Sequence, residues 1–364
     1  MRLLLTLALI FTLFNLSYGQ NCGSTLIGTD RTNGGNTLVE FDPSTGTFVD
    51  LFDLDPTSNS FYGIVVSGQY CYINREFNSP TQNFLYCVDI ETGIYNPNFP
   101  VEISDNALFQ ANSCDMTLFG LDRDNDGSVE LVSIDLESGV TSTISPNPIP
   151  FDLPIPQADA GQIASSALVG NTYYYTAMQN TQGIFEPIIS CVDITSGELI
   201  GNFSLPNNAV FDEFVIDEAT GLLYGLFVGN GGTFFGSFDP STGTFTTIST
   251  APLNAPLGGN PTIVGTNYCY LAVTPVGKGS LVTEFTCLDL ATGEVSINLP
   301  DIGTLELSGF DTNCTCPDTM VGMVIPTTSE WGLIILALLL LIFSTYSIRQ
   351  LSAYGTKQTR KVEL

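Results

Sequence analysis

One five-residue pattern, D-x-x-[TS]-G, recurs along this chain in a regular series of six copies and limits its fold more than any other feature. Two copies lie within an identical octapeptide, FDPSTGTF, at 41–48 and 238–245. The six copies begin at Asp42, Asp89, Asp135, Asp193, Asp239 and Asp289. Successive copies are 46 to 58 residues apart, and each lies between two short apolar segments. A period of this size is typical of a repeat protein in which every unit is one small β-sheet.

The chemistry of the pattern is that of a hairpin turn. An Asp side chain accepts hydrogen bonds from backbone N–H groups two or three residues further on, and Ser or Thr does so more weakly. Gly supplies the positive φ that ends a short hairpin loop. A turn therefore accounts for each fixed letter, and the repeat by itself predicts no catalysis.

Four strands can be assigned to each repeat, so the sequence predicts a six-bladed β-propeller. The runs TLIGTDR, TLVEFD and TFVDLF give only three strands for the first blade. The segment LELSGFDTN, from Leu305 to Asn313, supplies the missing inner strand. Such a closure leaves no open edge in the ring. We therefore expect an all-β propeller in which one C-terminal inner strand joins three N-terminal strands.

Both ends of the chain carry long apolar runs. Arg2 and the run LLLTLALIFTLF, followed by small and polar residues up to Gln20, are typical of a secretion signal. The run from Gly332 to Ile348 has no charge and suits a transmembrane helix, with a basic tail after it. Because basic segments stay in the cytoplasm, the body is expected outside the membrane. The expected regions are a signal peptide at 1–20, the propeller at 21–316, a linker at 317–324, and a motif, helix and basic tail at 325–364.

Positive charge is scarce in the part that is expected to be exported. Residues 21–329 hold 35 of the 37 Asp and Glu but only four of the nine Lys and Arg, a net charge of −31. Phosphate backbones need Lys and Arg, so nucleic acid is excluded as a partner, as is purely electrostatic docking onto anionic lipid. The chain has no His, which excludes Ser-His-Asp triads and His-ligated zinc.

Nine cysteines in an exported chain predict disulfides. Opposed residues on neighbouring antiparallel strands come close enough to bond, which favours pairs within a blade. A pair between the two ends of the propeller would hold the closing blade together. The expected pairs are Cys71–Cys87 and Cys269–Cys287 within blades and Cys22 with Cys314 or Cys316 across the closure. The sequence leaves the partners of Cys114 and Cys191 open, a pair between blades being one option, and an odd number of cysteines leaves one thiol over.

The C-terminal sequence IPTTSEWG, with the apolar run and the basic tail after it, resembles the IPTL-type sorting domain of bacterial exosortase-like systems. The matching residues are Ile325, Pro326, Thr327, Trp331 and Gly332, and Thr328 stands where that family usually has Leu. The resemblance implies a bacterial envelope protein whose tail is removed by a sorting transpeptidase or protease of the exosortase type. A plain C-terminal anchor is the alternative. The body resembles secreted bacterial repeat proteins with a D-x-x-T-G hairpin in each blade, which supports the fold and implies no reaction.

The segment DRDNDGSVE, at 122–130, is a candidate calcium site. Its acids are Asp122, Asp124, Asp126 and Glu130. Calcium prefers several carboxylate and carbonyl oxygens on one tight loop. The segment resembles the D-x-D-x-D-G-x-x-[DE] loops that bind calcium on integrin-type propellers, which implies a structural ion. An acidic hairpin turn without a metal is the alternative.

Three of the four exported cations share one position in consecutive blades. Arg31, Arg75 and Arg123 end the segments TDR, INR and LDR, which are the predicted second strands of the first three blades. Neighbouring guanidinium groups could clamp a carboxylate or sulfate ligand. Each Arg could equally offset the acids beside it, such as Asp30 and Asp122.

The function expected from these features is a non-enzymatic, surface-displayed or secreted propeller. It would bind an extracellular macromolecule or serve as a structural component of the bacterial envelope or matrix. The alternative is a metal-assisted hydrolase or lyase, with calcium and paired acids in a pocket on the propeller axis. An enzyme should bring several polar side chains together at one mouth of the central channel, whereas a binding module needs an exposed docking face.

Overall fold

The computed structural model describes 14 segments of the chain: 21–30, 36–54, 60–76, 82–103, 108–111, 116–123, 129–149, 165–181, 184–206, 209–229, 231–253, 261–275, 281–300 and 308–315. The chain divides into two units, Met1–Cys316 and Pro317–Leu364, and the second lies wholly outside these segments. The expected signal peptide, sorting motif and transmembrane helix also lie outside them. In the described segments, no helix has the length and apolar character needed to cross a membrane.

The first three blades are four-stranded antiparallel sheets. Blade 1 consists of β1 (Asn21–Asp30), β2 (Asn36–Asp42), β3 (Thr47–Leu54) and, as its inner strand, the C-terminal β24 (Ser308–Thr315). Blade 2 consists of β4 (Ser60–Val66), β5 (Gln69–Glu76), β6 (Gln82–Asp89) and β7 (Val101–Ile103). Blade 3 consists of β8 (Leu108–Gln110), β9 (Thr117–Arg123), β10 (Val129–Asp135) and β11 (Thr141–Thr143).

The other three blades repeat this arrangement, with each strand paired to the next along the chain. Blade 4 consists of β12 (Ser166–Val169), β13 (Thr172–Thr181), β14 (Ile184–Asp193) and β15 (Leu199–Ser204). Blade 5 consists of β16 (Val210–Asp217), β17 (Leu222–Gly229), β18 (Gly232–Asp239) and β19 (Thr244–Thr247). Blade 6 consists of β20 (Thr262–Val264), β21 (Asn267–Pro275), β22 (Leu281–Asp289) and β23 (Val295–Leu299). The predicted six-bladed propeller is therefore confirmed.

The predicted closure of the ring is also confirmed. Strand β24 pairs antiparallel with β1, with Cys22 opposite Cys314 and Leu26 opposite Thr312. At the inner edge of the ring, β24 also contacts β4 and β20, the first strands of the two neighbouring blades. One C-terminal strand thus completes a sheet whose other three strands come from the N-terminus.

Six apolar cores hold the ring together, and each lies between two neighbouring blades. The core between blades 6 and 1 joins Leu26 and Phe41 to Leu271 and Phe285. The rings of Phe41 and Phe285 meet edge to face, with their centroids 4.8 Å apart. Burial of apolar surface is the main favourable term in folding, so the closing interface is stabilised by the same means as the other five.

The six D-x-x-[TS]-G segments form the turns between the third and fourth strands of the blades. In the first, Oδ1 of Asp42 accepts hydrogen bonds from the N–H of Ser44 at 2.8 Å and from its hydroxyl at 2.7 Å, and Gly46 has a φ of 72°. Similar bonds to the following Ser or Thr lower the pKa of each turn Asp. Because the folded pKa lies below the unfolded one, these bonds stabilise the fold at neutral pH and are lost as the pH falls through the folded value.

The turn glycines also pack against the preceding blade, which the sequence does not indicate. A Cβ built on Gly197 of blade 4 would lie 2.3 Å from Cα of Ser145 and 2.4 Å from the carbonyl oxygen of Ile144, at the end of blade 3. A Cβ on Gly139 of blade 3 would lie 2.4 Å from the carbonyl oxygen of Asn98 in blade 2. The same relation holds around the ring: Gly46 faces Leu299, Gly93 faces Phe52, Gly243 faces Phe203 and Gly293 faces Ser249. Each turn therefore ends a hairpin and also fits one blade to the next.

A seventh copy of the turn occurs in a different hairpin. The segment DEATG, at 217–221, joins β16 to β17, and the N–H of Gly221 donates to the carbonyl oxygen of Asp217 at 2.7 Å. Gly221 has a φ of 72°, but a Cβ there would meet no atom within 4 Å. The six-copy count from the sequence missed this turn because it lies outside the 46-to-58-residue period. It has the local geometry of the others without their contact to a neighbouring blade.

Candidate functional site

The two disulfides predicted within blades are present. Cys71 is bonded to Cys87 and Cys269 to Cys287, with Cα–Cα distances of 4.1 and 4.0 Å. Cys22 and Cys314 are directly opposite in the register of β1 and β24, which places their backbones as a disulfide requires. The bond between them stays a prediction, and Cys316 lies outside the described residues.

Cys191 is a free, buried thiol, so the option that it pairs with Cys114 between blades is excluded. It lies on β14 opposite Tyr174, in the register that Cys87 has with Cys71. Blade 4 thus has half of the repeat's disulfide, with Tyr174 in the place of the second cysteine. The thiol instead donates to the carbonyl oxygen of Gly201 at 3.3 Å, and burial raises its pKa.

The structure describes half of the predicted calcium site. Asp122 and Glu130 are direct cross-strand partners on β9 and β10, while Asp124 and Asp126 lie outside the described residues. The hydroxyl of Thr143 donates to Oε2 of Glu130 at 3.1 Å. Within the described residues, no three acidic or Cys side chains are close enough to hold a metal ion. Calcium binding by the 122–130 segment therefore stays a prediction.

Two of the three predicted ligand-binding arginines occupy equivalent backbone positions. Arg75 on β5 is opposite Asn83, and Arg123 on β9 is opposite Val129. Both strand partners lie six residues before the turn Asp of their blade. Arg31 lies outside the described residues, and the clamp for a carboxylate or sulfate stays a prediction.

The end of the propeller that carries the turns is both acidic and apolar. We call it the turn rim, meaning the six turns and the exposed apolar side chains next to them. Those side chains are Val49, Ile94, Met116, Val140, Leu199, Ile200 and Val295, and they are all the large apolar residues that are exposed in the described segments. Ile94 is the most exposed of them, at 67%. Exposed glutamates lie within two residues of a turn Gly in four blades: Glu91, Glu137, Glu198 and Glu294.

A second group of polar residues, not identified from the sequence, lies on the inner strand of blade 5. Strand β16 has a bulge between Asp212 and Val215, where Glu213 adopts a φ of 52°. A Cβ on Gly225, opposite the bulge, would lie 2.7 Å from Cβ of Phe214, so the neighbouring strand needs Gly there. Bulges commonly redirect a side chain near a functional site, and a non-Gly residue at positive φ is strained.

The bulge is where three blades meet through hydrogen bonds, and we call this group the axial junction: Ser165, Asp212, Glu213 and Tyr268. The hydroxyl of Ser165, next to the inner strand of blade 4, donates to Oδ1 of Asp212 at 2.7 Å. The N–H of Glu213 donates to the same oxygen at 2.9 Å. The hydroxyl of Tyr268, in blade 6, donates to the carbonyl oxygen of Glu213. Burial raises the pKa values of Asp212 and of Tyr268.

Comparison with solved structures supports the architecture. TolB from Acinetobacter baumannii superposes with a TM-score of 0.57 at 13% identity, covering 82% of this chain and 69% of that chain. A chain of the nidogen/laminin complex superposes with a TM-score of 0.51 at 13% identity, covering 79% and 97%. The fold is shared with known propellers. No family model and no curated protein matches this sequence. Structural superpositions at such low identity show that the fold is shared, but they do not show that the function is.

The axial junction has a signal in the sequence, although a weak one. Two consecutive acids, in the run AVFDEFVID, interrupt an otherwise apolar predicted inner strand. An uninterrupted strand would point one of the two acids into a packed core, which is costly for a charge. The bulge between Asp212 and Val215 avoids this cost. The partners Ser165 and Tyr268 could not be found this way, because they come from other blades.

Proposed function

We propose that this chain is an exported, non-enzymatic binding module. Its turn rim docks a positively charged, amphipathic segment of an extracellular macromolecule. The observation that carries this proposal is the restriction of exposed large apolar side chains to the turn rim, among the residues that the structure describes. Apolar side chains that are exposed together at one end of a soluble domain commonly mark an interaction site.

The negative charge of the turn rim favours a positively charged partner. Hydrogen bonds keep the pKa of each turn Asp below its usual value, so these carboxylates are ionised at neutral pH. The cations of the described residues, Arg75 and Arg123, lie at the opposite ends of their strands. A cationic partner is thus attracted by the carboxylates, while its apolar side chains cover those of the rim.

The proposal is tested with a synthetic amphipathic peptide of Lys and Leu, measured by fluorescence anisotropy against the full chain. Replacing both Ile200 and Val295 with Ser should weaken its binding about tenfold, or about 1.4 kcal/mol, because two apolar contacts are lost. Asn202→Ala is the matched control, since Asn202 is exposed on the same strand as Ile200 and is polar. Equal binding by the double variant, or by a scrambled peptide without an apolar face, would contradict the proposal.

We also propose that the 122–130 segment binds a structural calcium ion. Like charges directly opposite one another destabilise a sheet, and the cross-strand pair of Asp122 and Glu130 would be relieved by a cation. Calcium at a hundredfold excess over its Kd should stabilise the fold by about 2.7 kcal/mol. The melting temperature should therefore rise with calcium and fall with EDTA, and the double variant Asp124→Asn, Asp126→Asn should lose this response. An unchanged response in that variant would remove the segment from consideration.

The compartment follows from the disulfides, which indicate an extracellular or periplasmic location. We propose that the segment 325–364 delivers the chain to the bacterial envelope and is a substrate of a sorting transpeptidase or protease. Support comes from the order of the motif at Ile325–Gly332, the apolar run and the basic tail. A binding module displayed in this way would present its turn rim to extracellular macromolecules.

A further inference from the structure

We propose that the axial junction is a second binding site, which takes a protonated primary amine through Oδ2 of Asp212. This site is independent of the turn rim. It lies near the start of β16, whereas the turn rim is at the end where β16 finishes.

One carboxylate oxygen of Asp212 accepts two hydrogen bonds, and the other accepts none within the described residues. Oδ1 accepts from the hydroxyl of Ser165 and from the N–H of Glu213. Among the described residues, no group donates to Oδ2, and the side chain keeps partial access to solvent. The two donors fix the direction of the open oxygen, so a ligand meets an acceptor that is already oriented.

The charge of the Asp212 carboxylate is unfavourable at this position because the side chain is buried. Burial raises the pKa of the Asp212 carboxyl, so the folded chain disfavours the ionised form relative to the unfolded chain. An Asn side chain would accept the same two hydrogen bonds through its own Oδ1. An acid kept where an amide would serve the fold, beside a strained Glu213, is typical of a functional position.

The single carboxylate oxygen without a hydrogen-bond donor favours an ammonium group over a metal ion as the ligand. A calcium ion takes six to eight oxygen ligands, far more than one free carboxylate oxygen supplies. An ammonium group needs only a few acceptors, and its charge compensates that of the buried carboxylate. Burial, and after it the nearby charge of Glu213, raises the pKa of Tyr268, so Glu213 adds a second negative charge at the junction. The cations of the described residues lie on β5 and β9 of blades 2 and 3, so this carboxylate is unpaired within blades 4 to 6 of the described structure.

The test compares n-butylammonium with n-butanol, which has the same apolar chain and no charge, by saturation-transfer NMR on the full chain at neutral pH. Butylammonium should bind and butanol should not. Asp212→Asn should weaken the binding of butylammonium at least tenfold without lowering the melting temperature, because both hydrogen bonds to Oδ1 are kept. Asp239→Asn, an acid of the same blade at the turn rim, is the matched control and should leave amine binding unchanged.

A third arm identifies the source of the amine. Tighter binding of Nα-acetyl-lysine methylamide than of butylammonium would indicate a Lys side chain of a macromolecule, and equal binding would indicate a free amine. Retained affinity in the Asp212→Asn variant, or equal binding of butanol, would overturn the proposal. The Ile200 and Val295 variants act on the turn rim alone, so the failure of either proposal leaves the other intact.

Discussion

Replacing Gly197 with Ala is expected to lower the free energy of unfolding by about 3 kcal/mol. Two costs combine at this position. A φ of 69° is unfavourable for any residue with a Cβ, and the new atom would lie 2.3 Å from the backbone of Ser145 in the preceding blade. The loss should appear in urea unfolding as a lower midpoint with an unchanged slope.

The matched control is Gly221→Ala, in the seventh copy of the turn. Its φ of 72° is almost the same, but a Cβ there meets no atom within 4 Å. Only the backbone cost remains, so the loss should be about 1–2 kcal/mol. An equal loss in both variants would mean that the contact between blades contributes nothing. A larger loss at Gly197 would measure how firmly one blade is fitted to the next.

This contact shows where the sequence stops being informative about the fold. The hairpin role of each turn Gly is predictable because it depends on four neighbouring residues and on φ alone. The contact of Gly197 with Ser145 depends on the relative placement of two blades, and no local pattern encodes it. The closing strand β24 was predictable because only three strands could be assigned before the first period ended. The C-terminal helix was predicted from an uncharged apolar run and the sorting motif from a motif resemblance, and both lie outside the described residues.

The candidate sites also divide into features that the local sequence predicts and features that depend on how the blades are arranged. The disulfides were predictable because Cys71 and Cys87 occupy matching places on neighbouring strands of one repeat. The same comparison, carried to blade 4, would have shown that Tyr174 replaces the partner of Cys191. The axial junction needed Ser165, Asp212 and Tyr268 from three blades, which are brought together only by the closed ring. Exposure at the turn rim also depends on the fold, since Ile200 and the buried Ile189 are of the same residue type.

Removing the disulfide between Cys269 and Cys287 is expected to lower the free energy of unfolding by about 3 kcal/mol, mainly by freeing the unfolded chain. The double substitution to Ala removes the bond without leaving a reactive thiol. The same substitution at Cys71 and Cys87 closes nearly the same loop, since the sequence separations are 18 and 16 residues. Chain entropy therefore predicts equal losses for the two variants.

A difference between the two losses would report on the closure of the ring. Cys269 and Cys287 pack in the core between blades 6 and 1, whereas Cys71 and Cys87 pack between blades 2 and 3. If the propeller opens first at the interface where its two ends meet, the Cys269–Cys287 variant should also unfold faster, in stopped-flow measurements, than its counterpart. Cys191→Ala is the control for lost sulfur packing and should cost about 1 kcal/mol. Losses no larger than this control would contradict a stabilising role for both disulfides, and equal unfolding rates would place the first opening away from the closing blade.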